Sequence, residues 1–96
     1  RMTADPRLDG VAFTGSTEVG KLIVQAARGN LKKLTLELGG KSPAVVLDDA
    51  DLELAIPGVA NAIFFNSGQV CVAGSRLYVH EKIFDRVLEG VSAYAK

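Results

Sequence analysis

Ninety-six residues make at most one small domain, too few to contain a large enzyme whole. Eleven Lys+Arg balance eleven Asp+Glu for zero net charge, so no basic stripe is present to grip a nucleic acid and no acidic tail to solvate a partner. The 48% hydrophobic content falls in short runs, none near the length of a membrane span, and one cysteine with one histidine makes neither an internal disulfide nor a structural zinc site.

These counts predict a soluble globular protein of a reducing compartment, expected in the cytoplasm, with no nucleic-acid or membrane partner. The chain opens at Arg1 without an initiating methionine and reaches Lys96 while a helix-like pattern is still running, so it reads as an internal piece of a longer protein; any targeting leader would lie ahead of it.

In chain order, residues 9–14 read as a short buried strand, and Ser16 and Thr17 supply N-cap chemistry for a helix over 17–28. Val19, Leu22, Ile23, Ala26 and Ala27 share one face at helical spacing. Gly29 and Asn30 are expected to stop this helix because both tolerate positive φ. Residues 33–38 then alternate strictly, with Leu34, Leu36 and Leu38 on one side and Lys33, Thr35 and Glu37 on the other. Strand, helix and strand in about thirty residues predict a βαβ unit with parallel strands, in which ligands sit at the carboxyl ends of the strands.

Gly39-Gly40 is a flexible pair suited to a domain boundary. Pro43 introduces a strand over 44–47, and Asp48, Asp49 and Asp51 offer caps for a helix over 52–65, which Pro57-Gly58 should kink or weaken. Residues 66–75 are small and polar and form a loop around the single cysteine. Leu77, Tyr78 and Val79 make a further apolar strand. From Lys82 onward Ile83, Phe84, Val87, Leu88, Val91 and Ala95 mark one face of a last helix.

Cys71 lies in Gly68-Gln69-Val70-Cys71-Val72-Ala73-Gly74, where flanking glycines let a backbone approach a ligand closely. A cysteine between valines is either a small buried hydrophobe or a nucleophilic thiolate, and the nearest cation in sequence is Arg76. Glu37 ends an otherwise apolar strand; it is either a solvent-facing residue paired with Lys33 or Lys41, or a carboxylate poised as a general base. The run from Gly15 to Lys21 satisfies G-x-x-x-x-G-K, yet Leu22 stands where a nucleotide hydrolase holds magnesium with Ser or Thr, and Glu18 repels phosphate. What survives is a helix N-terminus after Gly15 that is either simply well capped or able to hold an anion such as a pyrophosphate.

Together, FTGSTEVG (residues 13–20), LELGGKSP (36–43) and GQVCVAGSR (68–76) resemble, in order and spacing, the motifs of the aldehyde dehydrogenase superfamily. The resemblance covers nearly the whole chain. It implies an α/β fold: the end of a Rossmann-like parallel sheet over 1–38, as the last part of an NAD(P)-binding domain, joined to the start of an α/β catalytic domain over 39–96. It implies oxidation of an aldehyde to a carboxylic acid through a cysteine thiohemiacetal and thioester, in the full-length parent and not in this piece alone.

By the same resemblance Cys71 is the nucleophile, its backbone N–H is one oxyanion donor, and Glu37 is the base that activates water. Gly15 and Ser16 would meet the pyrophosphate of NAD or NADP, Val19 the adenine, and the Leu38 carbonyl the nicotinamide amide. Val70 and Val72 would line the aldehyde tunnel. The helix after Ser16 resembles one used in the family's dimer contact, so the parent is expected to be a homodimer or homotetramer acting on a small-molecule aldehyde. The family's second oxyanion donor, an asparagine, and its ribose-binding residues fall outside these positions. An acylating relative that passes the thioester to coenzyme A is disfavoured by Glu37, and a non-catalytic homologue by Cys71 and Glu37 together.

Overall fold

The computed structural model describes all residues, Arg1–Lys96, and divides them into two compact units, Arg1–Gly39 and Gly40–Lys96. Each unit contains a strand, a helix and a second strand parallel to the first, and the second unit adds a further helix. No helix is long and apolar enough to cross a membrane.

In the first unit a 3-10 turn over Met2–Ala4 precedes β1 (Gly10–Thr14), α1 (Thr17–Ala27) and β2 (Lys33–Glu37). The strands pair in parallel from Gly10↔Lys33 to Thr14↔Glu37. Strict alternation in β2 does what its pattern predicts, half-burying Leu34 and Leu36 and exposing Lys33, Thr35 and Glu37. β1 is not the buried strand expected: only Val11 and Phe13 are half-buried, because a two-stranded sheet covered by one helix shields one face.

Ser16 caps α1, its Oγ accepting from the Val19 N–H at 3.2 Å. The buried face of α1 is Gly20, Ile23 and Ala27, while Val19 and Leu22 of the expected stripe are exposed. Gly20 explains the rotation, since its bare α-carbon lets the Leu38 side chain come within contact of the helix. The helix stop also differs from expectation. Neither Gly29 nor Asn30 takes positive φ; Leu31 does, at 54°. The Asn30 amide is used instead to donate to the carbonyls of Pro6 and Leu8, both at 3.1 Å, tying the N-terminal segment to the helix exit. Lys32, buried, donates from Nζ to the Asp5 carbonyl in the same segment.

In the second unit β3 (Pro43–Val46) is followed by α2 (Leu52–Phe64), β4 (Arg76–Val79) and α3 (Phe84–Tyr94), with β3 and β4 parallel from Pro43↔Arg76 to Val46↔Val79. Of the three candidate aspartates Asp51 caps α2, its Oδ1 accepting from Glu53 N–H at 3.0 Å, and Asp48 pairs with Lys82 at 3.1 Å. α2 runs through Pro57 without interruption, although the proline leaves the Glu53 carbonyl without its helical donor. The core joins Val46, Ile83 and Val87 to Leu52, Ala55, Ile56, Val59, Val79 and Val91. Phe84, Leu88 and Ala95 of the expected α3 stripe are exposed, as are Leu77 and Tyr78 of β4, for the reason given for β1: one helix layer covers one sheet face.

Candidate active site

The first unit gathers its candidate residues where its strands end. Gly15 N–H donates to the Glu37 carbonyl at 3.0 Å, carrying the β1–β2 ladder one residue beyond β1 and fixing the turn into α1. The Phe13 ring fills the space beside Gly15: a Cβ there would lie 2.5 Å from Phe13 Cζ, so the position takes no side chain without moving the ring. With Ser16 Oγ occupied by Val19, the N–H groups of Thr17 and Glu18 remain free of helical partners and point out of the helix start. An exposed glycine and serine ahead of free N–H groups fit a phosphate-bearing ligand. Val19 is exposed on the next turn. Leu38 is half-buried, seated on α1 where a Cβ on Gly20 would come 2.8 Å from its Cδ2. Glu37 is exposed, as a solvent-facing strand residue would be, and forms no ion pair with Lys33 of its own unit.

In the second unit the cysteine sits on the connection from α2 to β4. Asn66, Ser67 and Gly68 take left-handed φ in succession, 50°, 55° and 74°, which reverses the chain as it leaves α2. Left-handed backbone costs about 1–2 kcal/mol for an ordinary L-residue, so this turn persists only because it is held. Asn66 Nδ2 donates to the Gln69 carbonyl at 3.1 Å and Gln69 N–H donates back to Asn66 at 3.0 Å. Further on, Gly74 N–H donates to the Ala62 carbonyl at 2.9 Å, and the absence of a side chain at 74 lets the strand pass against Ala62 and Ala44.

Between these anchors Cys71 is a free thiol, exposed in this chain. Its neighbours form one wall of a notch of ≈ 240 Å³ lined by Asn61, Ala62, Phe65, Val70, Val72 and Ala73. Apolar walls with a single amide suit the body of a small organic ligand. Cys71 lies ahead of the amino end of β4, and not at the carboxyl ends where β-α-β sheets usually place ligands.

Sequence reasoning missed the two contacts that hold this loop from outside. Gly40 was expected to be flexible, but its α-carbon is pressed against the Cys71 backbone: a Cβ at 40 would lie 2.5 Å from the Cys71 carbonyl oxygen. Arg76 Nε donates to the Lys41 carbonyl at 2.8 Å, with its guanidinium 5.9 Å from the Tyr78 ring centroid. The one available signal was the glycine itself, read for freedom where it serves close approach.

Comparison with known proteins places the whole chain, residues 1–96, within the sequence model of the aldehyde dehydrogenase family. It is 60% identical over 84 residues to phenylacetaldehyde dehydrogenase of Pseudomonas fluorescens, covering 88% of this chain and 17% of that one. It is 54% identical over 90 residues to the NAD(P)+ aldehyde dehydrogenase 2 of Saccharomyces cerevisiae, covering 93% and 18%. PnpE, solved from Pseudomonas sp. WBC-3 and also in complex with nicotinamide adenine dinucleotide, superposes with a TM-score of 0.93 at 49% identity, covering 98% of this chain and 19% of that one. The chain therefore spans about a fifth of the length of the proteins it matches.

Proposed function

This chain belongs to the aldehyde dehydrogenase family, and from that premise we propose that the protein containing it oxidises an aldehyde to a carboxylic acid with NAD or NADP. The observation that carries the reading is the exposed thiol of Cys71, held on a glycine-bounded loop beside an apolar notch. The Cys71 thiolate attacks the aldehyde carbon; the new C–S bond displaces the carbonyl π pair onto oxygen, where the Cys71 backbone N–H donates. When bound, the nicotinamide supplies the hydride acceptor that turns the resulting thiohemiacetal into a thioester. Glu37 then takes a proton from water as it attacks the thioester carbon, and the C–S bond breaks to return the thiolate and release the acid.

Gly15 and Ser16 are assigned to the cofactor pyrophosphate, Val19 to the adenine and the Leu38 carbonyl to the nicotinamide amide. What supports the first two is the fit of the free N–H groups at the start of α1 to phosphate oxygens. Residues 1–38 are read as the end of the NAD(P)-binding domain and 39–96 as the start of the catalytic domain, a reading supported by the separation into compact units at Gly39 and Gly40. The parent is proposed to be a homodimer or homotetramer of the cytoplasm, with the exposed Leu22 and Val24 of α1 as a candidate contact.

Two variants of the full-length protein test the roles by stopped-flow NADH fluorescence. Cys71→Ala removes the covalent acceptor and is expected to abolish the first turnover and all later ones. Glu37→Gln keeps the size but cannot take the proton, so it should release up to about one NADH per site and then turn over very slowly. Near-normal steady turnover in Glu37→Gln would remove this carboxylate from the mechanism.

A further inference from the structure

We infer that Gly40 and Arg76 are positioning residues for Cys71: the bare α-carbon of Gly40 is the seat of the Cys71 carbonyl, and Arg76 locks that seat by holding the Lys41 carbonyl. The inference rests on the proposed role of Cys71 as nucleophile. It adds residues that act through the backbone of the cysteine.

The topology brings these groups together. β3 and β4 are parallel and begin in register at Pro43 and Arg76. The segments leading into them, 40–42 and 71–75, therefore converge at one edge of the sheet. Arg76 N–H donates to the Ser42 carbonyl at 3.4 Å and Arg76 Nε to the Lys41 carbonyl at 2.8 Å, so backbone and side chain of one residue grip two successive carbonyls of the other segment. One residue further back, Gly40 meets Cys71. A Cβ on residue 40 would stand 2.5 Å from the Cys71 oxygen and 3.7 Å from its carbonyl carbon.

The obstruction is backbone, not the movable tip of a side chain, so with the residue-40 segment gripped by Arg76 it is relieved by displacing the Cys71 backbone. That overlap is about 1 Å inside ordinary van der Waals contact. The Cys71 carbonyl, thiol and N–H share one α-carbon, so a shift of the Cys71 backbone that carries the α-carbon displaces the sulfur and the oxyanion donor with it. A misplacement of about 1 Å at a reacting group can cost about a hundredfold in rate. A glycine at 40 is thus required by the geometry of the nucleophile and not by the bend of the chain, because Gly40 is not among the residues of positive φ.

The test uses the full-length protein with Gly40→Ala, read by kcat, by KM for dinucleotide and aldehyde, and by the pH profile of Cys71 alkylation by iodoacetamide. Expected is a fall in kcat of about ten- to a hundredfold with KM for the dinucleotide changed by less than about threefold, and an alkylation rate altered at every pH. A kcat within about twofold of wild type, with unchanged alkylation, would overturn the seat. If Gly40→Ala does not fold, Arg76→Met carries the test with Arg76→Lys as rescue. The methionine keeps the apolar stem and loses the donor, so kcat should fall and recover in part with lysine. Equal kcat in Arg76→Met and wild type would overturn the lock. A wild-type protein that alkylates at Cys71 but oxidises no aldehyde would instead overturn the nucleophile reading, and unequal alkylation of Gly40→Ala would then still show the seat.

Discussion

The two units build the same strand, helix and parallel strand and put their candidate chemistry at opposite ends of it. In the first unit Gly15, Ser16, Glu37 and Leu38 lie at the carboxyl ends of β1 and β2; in the second, Gly40 and Cys71 lie ahead of the amino ends of β3 and β4. The means of holding differ accordingly. Only Gly15 and Ser16 separate β1 from α1, and the hydrogen bond from Gly15 to Glu37 makes the turn an extension of the sheet. Cys71 lies on an eleven-residue connection, 65–75, with no ladder of its own. There the backbone is fixed by left-handed residues, by the hydrogen bonds exchanged between Asn66 and Gln69, and by glycines that let neighbouring segments touch. A ladder fixes a backbone cheaply and suits a ligand bound by N–H groups. A packed loop exposes one side chain while holding its α-carbon, which is what a nucleophile needs.

The largest effect that could break this comparison is expected in the core of the second unit. Val87 is 1% exposed and packs in the cluster with Val46 and Ile83. Val87→Ala should destabilise by about 2 kcal/mol through lost burial and the cavity left behind. Hydrogen exchange should quicken at amides of the second unit, with the β1–β2 ladder unchanged; equal quickening in both would show that the units do not open separately.

Ser16→Ala is expected to cost about 1 kcal/mol by exposing an orphan N–H at the start of α1. On the proposed function it raises KM for the dinucleotide several-fold, with kcat at saturation changed little, whereas the substitutions around Cys71 lower kcat. Steady-state kinetics with both substrates varied checks it, and a loss confined to kcat would reverse the roles given to the two units.

Ser67→Gly is expected to stabilise, because serine is the residue of the left-handed turn with neither the amide of Asn66 nor the freedom of Gly68. The gain should be about 0.5–1 kcal/mol after the entropy of the added glycine is counted. Thermal melting measures it, and destabilisation would mean that the Ser67 side chain holds the turn.

Much of this fold was legible because hydrophobic period is a local property. The alternation over Leu34, Leu36 and Leu38 and the caps at Ser16 and Asp51 placed the strands and helices to within a residue or two. Period does not say how much of an apolar stripe finds a partner, so Leu22, Leu88 and Phe84 were expected inside and lie exposed. Nor does it say which of several permissive residues bends. Gly29 and Asn30 were suited to positive φ, yet Leu31 carries it because the Asn30 amide is engaged with Pro6 and Leu8. In the site, Cys71 and Glu37 were legible as residue types at motif spacing. The seat at Gly40 was not, since it joins positions 31 apart that meet only once β3 and β4 pair.

The smallest expected effect concerns the N-terminal segment, which the first unit ties down with charge. Asp5 is held from its ordinary 3.8 to about 2, first by the Arg7 guanidinium bonding its carboxylate, then by the Arg7 backbone N–H, with Lys32 adding a weaker pull. Arg7 is correspondingly raised. A carboxylate whose folded value lies below its unfolded value binds fewer protons folded than unfolded, so its contribution is complete above about pH 4 and is lost as pH falls through about 2. Because the pair lies at the surface, salt should weaken it, and the loss should loosen the segment rather than unfold the unit. Carbon-detected NMR of the Asp5 carboxyl should give a midpoint near 2 in the wild type. Arg7→Ala should raise it toward the ordinary value and Lys32→Met by less, because the guanidinium bonds the carboxylate directly while the Lys32 ammonium does not. Should Lys32→Met move the midpoint more than Arg7→Ala, the buried lysine beneath the segment, and not the exposed arginine above it, is what holds Asp5 charged.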